Sequence, residues 1–174
     1  MRTSGVLMPI SSLPSQYGIG TMGKEARRFV DFLEKGGQTY WQILPICPTS
    51  YGDSPYQSFS TFAGNPYFID LDTLVEEGVL DKKDCEKVNW GKKPEEVDYE
   101  KIYKGRYPLL RKAYENSDIS KNPDYQKFVA ENSWWLSDYA LFMAVKGRFD
   151  NVEWTKWAED IRLRWKWAMD YYRE

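Results

Sequence analysis

The pattern between Gly5 and Pro45 restricts this chain more than any other. Gly5-Val-Leu-Met-Pro-Ile10 is a short apolar run bounded by turn residues, and it reads as a buried strand interrupted by Pro9. Ser11, Ser12 and Pro14, then Gly18, Gly20 and Gly23, form a long turn-rich connection. Lys24–Lys35 follows, with Ala26, Phe29, Val30 and Leu33 on one stripe and charged residues on the other faces, which predicts an amphipathic helix. Gly36-Gly37 supplies a left-handed stop, and Tyr40-Trp-Gln-Ile-Leu-Pro45 reads as a second strand. Strand, helix and strand with so short a return predict neighbouring parallel strands joined by a right-handed crossover. The glycines of the first connection lack the G-x-G-x-x-G spacing and the Walker lysine, so they read as turn geometry and not as a phosphate loop.

The stretch Tyr51–Asp70 leaves the C-terminal end of that second strand, where ligands bind in parallel α/β folds. Gly52, Asp53, Pro55, Gly64, Asn65 and Pro66 punctuate it, while Tyr51, Tyr56, Phe59, Phe62 and Tyr67 give it more large rings than a flexible linker carries. The composition describes an ordered loop. Tyr rings beside Ser, Asp, Gln and Asn suit a sugar, whose pyranose faces are apolar and whose rim is hydroxylated. A loop pinned on the surface by its own aromatics has the same composition, and position after a parallel strand favours the binding role. Asp53, Asp70 and Asp72 are the carboxylates nearest the loop. Such groups in a Gly/Pro loop commonly cap turns or hold backbone, and they are not assigned catalysis.

Composition excludes several classes. Net charge is −2, which offers no basic surface for nucleic acid. Histidine is absent, which removes His-based acid–base chemistry and His metal ligands from the chain, and no metal or other cofactor is expected. Cys47 and Cys85 lie far apart in no paired motif and read as free thiols in a reducing compartment. No leader-like run and no membrane-spanning run is visible, so a cytoplasmic location without membrane contact is expected.

Beyond Asp70 the reading is helical. Asp72 is placed as the cap of a short helix Thr73–Glu77 stopped by Gly78, and 81–96 as polar and irregular. Asp98 caps a helix carrying Ile102, Tyr103, Leu109, Leu110 and Ala113, which Pro108 is expected to kink or restart. After a polar connection at 116–124, helical spacing runs from Tyr125 to Gly147. A last helix is expected with Trp154, Trp157, Ile161, Trp165, Ala168 and Tyr172 on one stripe, still running at Glu174 with no stop. These stripes read as core, and the running end as that of a fragment.

Two contiguous segments carry a family resemblance: SSLPSQYGIGTMGKEA at 11–26 and YWQILPICPTSYGDSPYQSFSTFAGNPYFIDL at 40–71. With weaker matches in VDYEKIY (97–103) and WWLSDYALFMAVK (134–146), the chain resembles the N-terminal part of the 4-α-glucanotransferases, or amylomaltases, of glycoside hydrolase family 77. The resemblance implies an α/β fold: the first two parallel strands of a (β/α)8 barrel over residues 1–71, with a substrate loop at 51–70. Residues 72–174 are then a mainly helical inserted subdomain, incomplete at its C-terminus. It implies retaining transfer of α-1,4-glucan segments, with nucleophile and acid/base carboxylates about 5–5.5 Å apart. The family carries these, and a third stabilising Asp, on later strands, so no catalytic residue is assigned here and the isolated chain is expected to be inactive. It maps an active-site tyrosine onto Tyr56, a hydroxyl partner of the glucan onto Ser54, and an outer glucan site, present in some members, onto Tyr51 and Tyr103. The implied partners are α-1,4-glucans such as maltodextrins, starch or glycogen chains. Exposed apolar stripes in a fragment predict self-association. A stand-alone aromatic-rich module that binds glucan or another protein is the alternative.

Overall fold

The computed structural model describes residues 2–49 and 53–173. Strand β1 (Gly5–Leu7) pairs in parallel with β2 (Tyr40–Gln42), with Gly5 opposite Tyr40, Val6 opposite Trp41 and Leu7 opposite Gln42. Helix α1 (Lys24–Lys35) connects them. Both strands are shorter than the apolar runs that announce them. The Met8 amide still donates to the Gln42 carbonyl at 2.9 Å, but Pro9 has no N–H to continue the ladder and a 3-10 turn follows at Ile10–Ser12.

Helix α1 ends as its glycines predict. Gly37 sits at φ 64°, and the amides of Gly36 and Gln38 turn back onto the carbonyls of Phe32 and Leu33 at 3.0 and 2.9 Å. Ala26 and Leu33 are buried, and Phe29 meets Trp41 edge-on at 5.0 Å. Val30, expected on the same stripe, is exposed. The stripe is therefore narrower than its hydrophobicity suggests, because one strand pair covers only part of it. Gly20 and Gly23 are required by close approach. A Cβ at Gly20 would stand 2.0 Å from the Ile10 carbonyl oxygen, and one at Gly23 would stand 2.2 Å from the Asp70 carboxylate.

Past the loop, α2 (Leu71–Glu76) begins two residues earlier than a cap at Asp72 would allow. Asp70 is its cap, accepting the Thr73 amide at 2.8 Å, and Asp72 instead accepts the Tyr17 hydroxyl at 3.0 Å. The stretch 81–96, expected to be irregular, holds α3 (Lys82–Glu86), capped by Asp81 and anchored by the fully buried Cys85. One buried residue in five leaves no periodicity to read. Helix α4 (Tyr99–Asn116) is capped by Asp98 as expected and runs through Pro108 without restarting. Pro108 is exposed, so the carbonyl it leaves without a partner is on the wet side of the helix. Tyr17, Leu71, Leu80, Cys85, Leu109 and Ala113 form one core cluster; Ile10, Leu13 and Ala26 form another beneath α1.

The chain divides between Ile119 and Ser120 into two compact units. The second contains α5 (Pro123–Glu131), α6 (Ser133–Arg148), α7 (Glu159–Arg162) and α8 (Lys166–Arg173). Its core is Leu141, Val145, Trp157, Ile161, Ala168 and Met169. The spacing from Tyr125 to Gly147 spans two helices, because Asn132 breaks the run and takes the Trp135 indole N–H on its own side chain at 2.9 Å. The final stripe likewise belongs to a 3-10 turn at Trp154–Lys156 and two helices instead of one. Arg164 stands at φ 58° and Trp165 donates to the Asp160 carbonyl at 2.8 Å, a left-handed stop made without glycine. Trp157, Ile161 and Ala168 of that stripe are nonetheless buried, while Trp154 and Trp165 are exposed. No helix among the described residues is long and apolar enough to cross a membrane.

Candidate substrate site

The segment after β2 is tied to itself at successive points. The Asn65 amide donates to the Ile46 carbonyl at 2.8 Å, which returns the far end of the loop to its start. Thr49 and Ser58 form an antiparallel bridge, and the Ser58 hydroxyl stands 2.6 Å from the Pro48 carbonyl oxygen. Ser60 Oγ accepts the amides of Phe62 and Ala63 at 3.3 and 3.1 Å, and Asn65 Oδ1 accepts the Tyr67 amide at 3.0 Å. These are the local side-chain-to-backbone bonds that Ser and Asn make in ordered loops.

Within this frame the residues 54–57 form a turn. Ser54 Oγ accepts the Tyr56 amide at 3.4 Å, and the Gln57 amide donates to the Ser54 carbonyl at 3.1 Å. Ser54 is half-buried, whereas Tyr56 is 75% exposed, more than any other large hydrophobic or aromatic side chain among the described residues. Ser54 and Tyr56 thus come together on one turn, the first shaping it and the second displayed by it. Tyr51 lies outside the described residues. Tyr103 is on α4, half-exposed, edge-on to Tyr107 with ring centres 5.1 Å apart. Tyr107 in turn meets Tyr67 at 6.0 Å, and Tyr67 meets Tyr99 at 6.4 Å. Aromatic pairs of this geometry contribute about 0.5–1.5 kcal/mol each beyond their buried area. They connect Tyr103 to the end of the loop.

A small cavity of about 90 Å³ opens at the carboxyl ends of both strands, between Pro9, Leu44 and Pro45 on one side and Asn65, Tyr67 and Tyr99 on the other. Asp53 and Thr49 line it together. Burial raises the Asp53 carboxyl above the ordinary carboxylate value, and a hydrogen bond from the Thr49 hydroxyl opposes that rise. Burial also raises Tyr67 and Tyr99, and the Asp53 charge pushes both the same way, so their hydroxyls remain protonated donors. Asp70 behaves differently. Burial pushes it up, but hydrogen bonds from Thr21 at 2.5 Å and from Thr73, with the charge of Arg106, hold its carboxyl below the ordinary value. It is a structural cap. Tyr99 lies within the VDYEKIY match without being singled out and Tyr107 lies beyond it, although the spacing Tyr99, Tyr103, Tyr107 at i, i+4, i+8 on a helix announces one aromatic face.

Among the described residues no three His, Cys, Asp or Glu side chains are grouped to hold a metal ion. A larger cavity, about 460 Å³, lies in the second unit and is lined by Leu141, Phe142, Val145 and Trp157. Among the described residues that line it, the one carboxylate, Asp138, is paired with Arg164 at 2.8 Å.

A parallel strand pair joined by a helix, with an aromatic loop beyond its carboxyl ends, makes this an α/β protein. The family model described as 4-alpha-glucanotransferase matches residues 8–174, and the chain belongs to that family. The chain is 54% identical over 175 residues to the 4-alpha-glucanotransferase of Streptococcus pneumoniae (strain TIGR4), spanning 99% of this chain and 35% of that protein. It is 52% identical over 167 residues to the one from Clostridium butyricum, spanning 96% and 34%. The solved amylomaltase from Streptococcus agalactiae in complex with acarbose superposes with a TM-score of 0.90 at 43% identity, over 100% of this chain and 36% of that one. The chain thus spans about a third of the length of the relatives it matches.

Proposed function

We propose that this chain is the N-terminal portion of a 4-α-glucanotransferase that moves α-1,4-glucan segments between maltodextrins, and that its part in the reaction is to build one wall of the sugar cleft. On this reading residues 1–71 begin a (β/α)8 barrel and residues 72–174 belong to a helical subdomain inserted before the next strand. The observation that carries the proposal is the display of Tyr56. Its ring is 75% exposed on a turn whose flanks are tied at Thr49–Ser58 and Asn65–Ile46, in the segment that follows a parallel strand. A turn tied at both flanks that leaves a large ring uncovered fits a surface made to receive a pyranose face, with the phenol hydroxyl to orient it.

Transfer with retention needs one carboxylate to attack the anomeric carbon and a second to protonate the departing oxygen and then deprotonate the incoming hydroxyl. This chain supplies neither. Its residues hold and orient the sugar, while the carboxylates come from strands later in the protein. Amylomaltase from Streptococcus agalactiae has been solved with acarbose, which agrees with an α-glucan as the bound class. The test is transfer by the full-length protein on maltotriose, read as glucose and longer maltodextrins by chromatography. Tyr56→Ala should cost about 1–3 kcal/mol of transition-state stabilisation. Unchanged kinetics in that variant would remove Tyr56 from the cleft.

A further inference from the structure

An exposed ring has no packing of its own to hold it, so the position of Tyr56 depends on the backbone of the turn that carries it. That turn is entered through Asp53, a non-glycine residue at φ 55°, in the left-handed region that L-residues other than Asn and Asp avoid. Asp53 lines the cavity at the strand ends together with Thr49, four positions before it. Thr49 is itself bridged to Ser58, just beyond the turn. The two sides of the turn therefore meet at Thr49: Ser58 bridges to it through backbone, and Asp53 shares the cavity with it. The cavity measures about 90 Å³, enough for water but far below the roughly 300–1,000 Å³ of small-molecule pockets, so the Asp53 carboxyl does not itself meet a sugar there.

We infer that Asp53 is a positioning residue: seated beside Thr49 in the cavity, its carboxyl accepts from the Thr49 hydroxyl and so fixes the left-handed entry that presents Ser54 and Tyr56 to the glucan. The inference rests on the glucan-transfer reading and names the device that preorganises its binding wall. The carboxyl acts through the turn and neither gives nor takes a proton in the transfer.

The experiment uses the full-length protein with Asp53→Ala, Asp53→Asn and Thr49→Val, and maltotriose as substrate. Asp53→Ala and Thr49→Val should each lower kcat/KM about tenfold, the scale of a small misplacement of a binding group. Asp53→Asn should stay within about threefold of the wild type, because Asn tolerates the left-handed backbone and its carbonyl oxygen accepts from Thr49. In a Tyr56→Ala background, Asp53→Ala should cost clearly less than about tenfold, since only Ser54 is left for it to position. An Asn variant as poor as the Ala variant would make the charge itself the working feature and overturn the inference. Fully multiplicative losses with Tyr56→Ala would overturn it too. Amide exchange at Ser54, Tyr56 and Gln57 reads the tie independently of activity. Faster exchange in Asp53→Ala and Thr49→Val but not in Asp53→Asn supports it, and unchanged exchange refutes it. A wild type that transfers no glucan defeats the functional reading, and the exchange result still decides the tie.

Discussion

Arg106 offers the sharpest test of how the loop end and α4 are held together. Its side chain is completely buried. Nη1 donates to the Tyr17 carbonyl at a long 3.5 Å, Nη2 donates to the Ile69 carbonyl, and Nε has no partner. Burial lowers its pKa to about 10 against the pull of Asp70, so it stays cationic at neutral pH. Arg106→Ala removes both donors and opens a cavity. Each orphaned carbonyl costs about 1–3 kcal/mol, and losing one member of a buried charged set costs about 3–5 kcal/mol in all. Arg106→Met keeps most of the volume and removes a desolvated cation with an unsatisfied nitrogen. Its cost should fall to about 1–3 kcal/mol, chiefly the two carbonyls. Urea unfolding followed by tryptophan fluorescence measures both. A Met variant as unstable as the Ala variant would show that the charge holds the contact and filled volume does not. An Ala variant within about 1 kcal/mol of wild type would refute the reasoning altogether.

Three further outcomes are expected. Asp70 has a folded pKa below its unfolded value, so the stability it contributes is fully present above about pH 4 and is lost as pH falls through the lowered value. Asp70→Asn should therefore flatten the acid limb of urea midpoints measured between neutral and strongly acidic pH, and an unchanged slope would contradict the assignment. Tyr51→Ala and Tyr103→Ala in the full-length protein should spare maltotriose and weaken binding of long glucans, whereas equal effects on both substrates would make the rings structural. The 174-residue chain alone should form no glucose or longer maltodextrins from maltotriose, and products above a blank would mean that the reacting carboxylates lie within it.

Elements governed by near neighbours along the chain are legible in the sequence itself. Helix α1 runs from Lys24 to Lys35 as its stripe and its glycine pair predict, and the two strands are parallel as the short return requires. The Asp98 cap of α4 and the Gly78 stop after α2 are readable too, because the groups involved lie within a few residues of each other. Ser54 and Tyr56 stand out by motif, and the fold puts them on one turn.

What cannot be read depends on partners brought close by the fold. Asp70 and Asp72 are equivalent as capping residues in sequence. The choice falls to Asp70 because Thr21, 49 positions earlier, donates to its carboxylate, while Tyr17 engages Asp72. Arg106 looks like one more charge on a solvated helix until carbonyls 89 and 37 positions away bury it. Arg164 stops a helix in a conformation that composition assigns to glycine. Asp53 reads as a turn carboxylate, and only the meeting of two strand ends, the loop and the first turn of α4 encloses it beside Thr49, Tyr67 and Tyr99. Spacing along the chain reports which face a residue shares with its near neighbours. Burial, and with it every shifted pKa and every tie between distant segments, is set by the closing of the chain on itself.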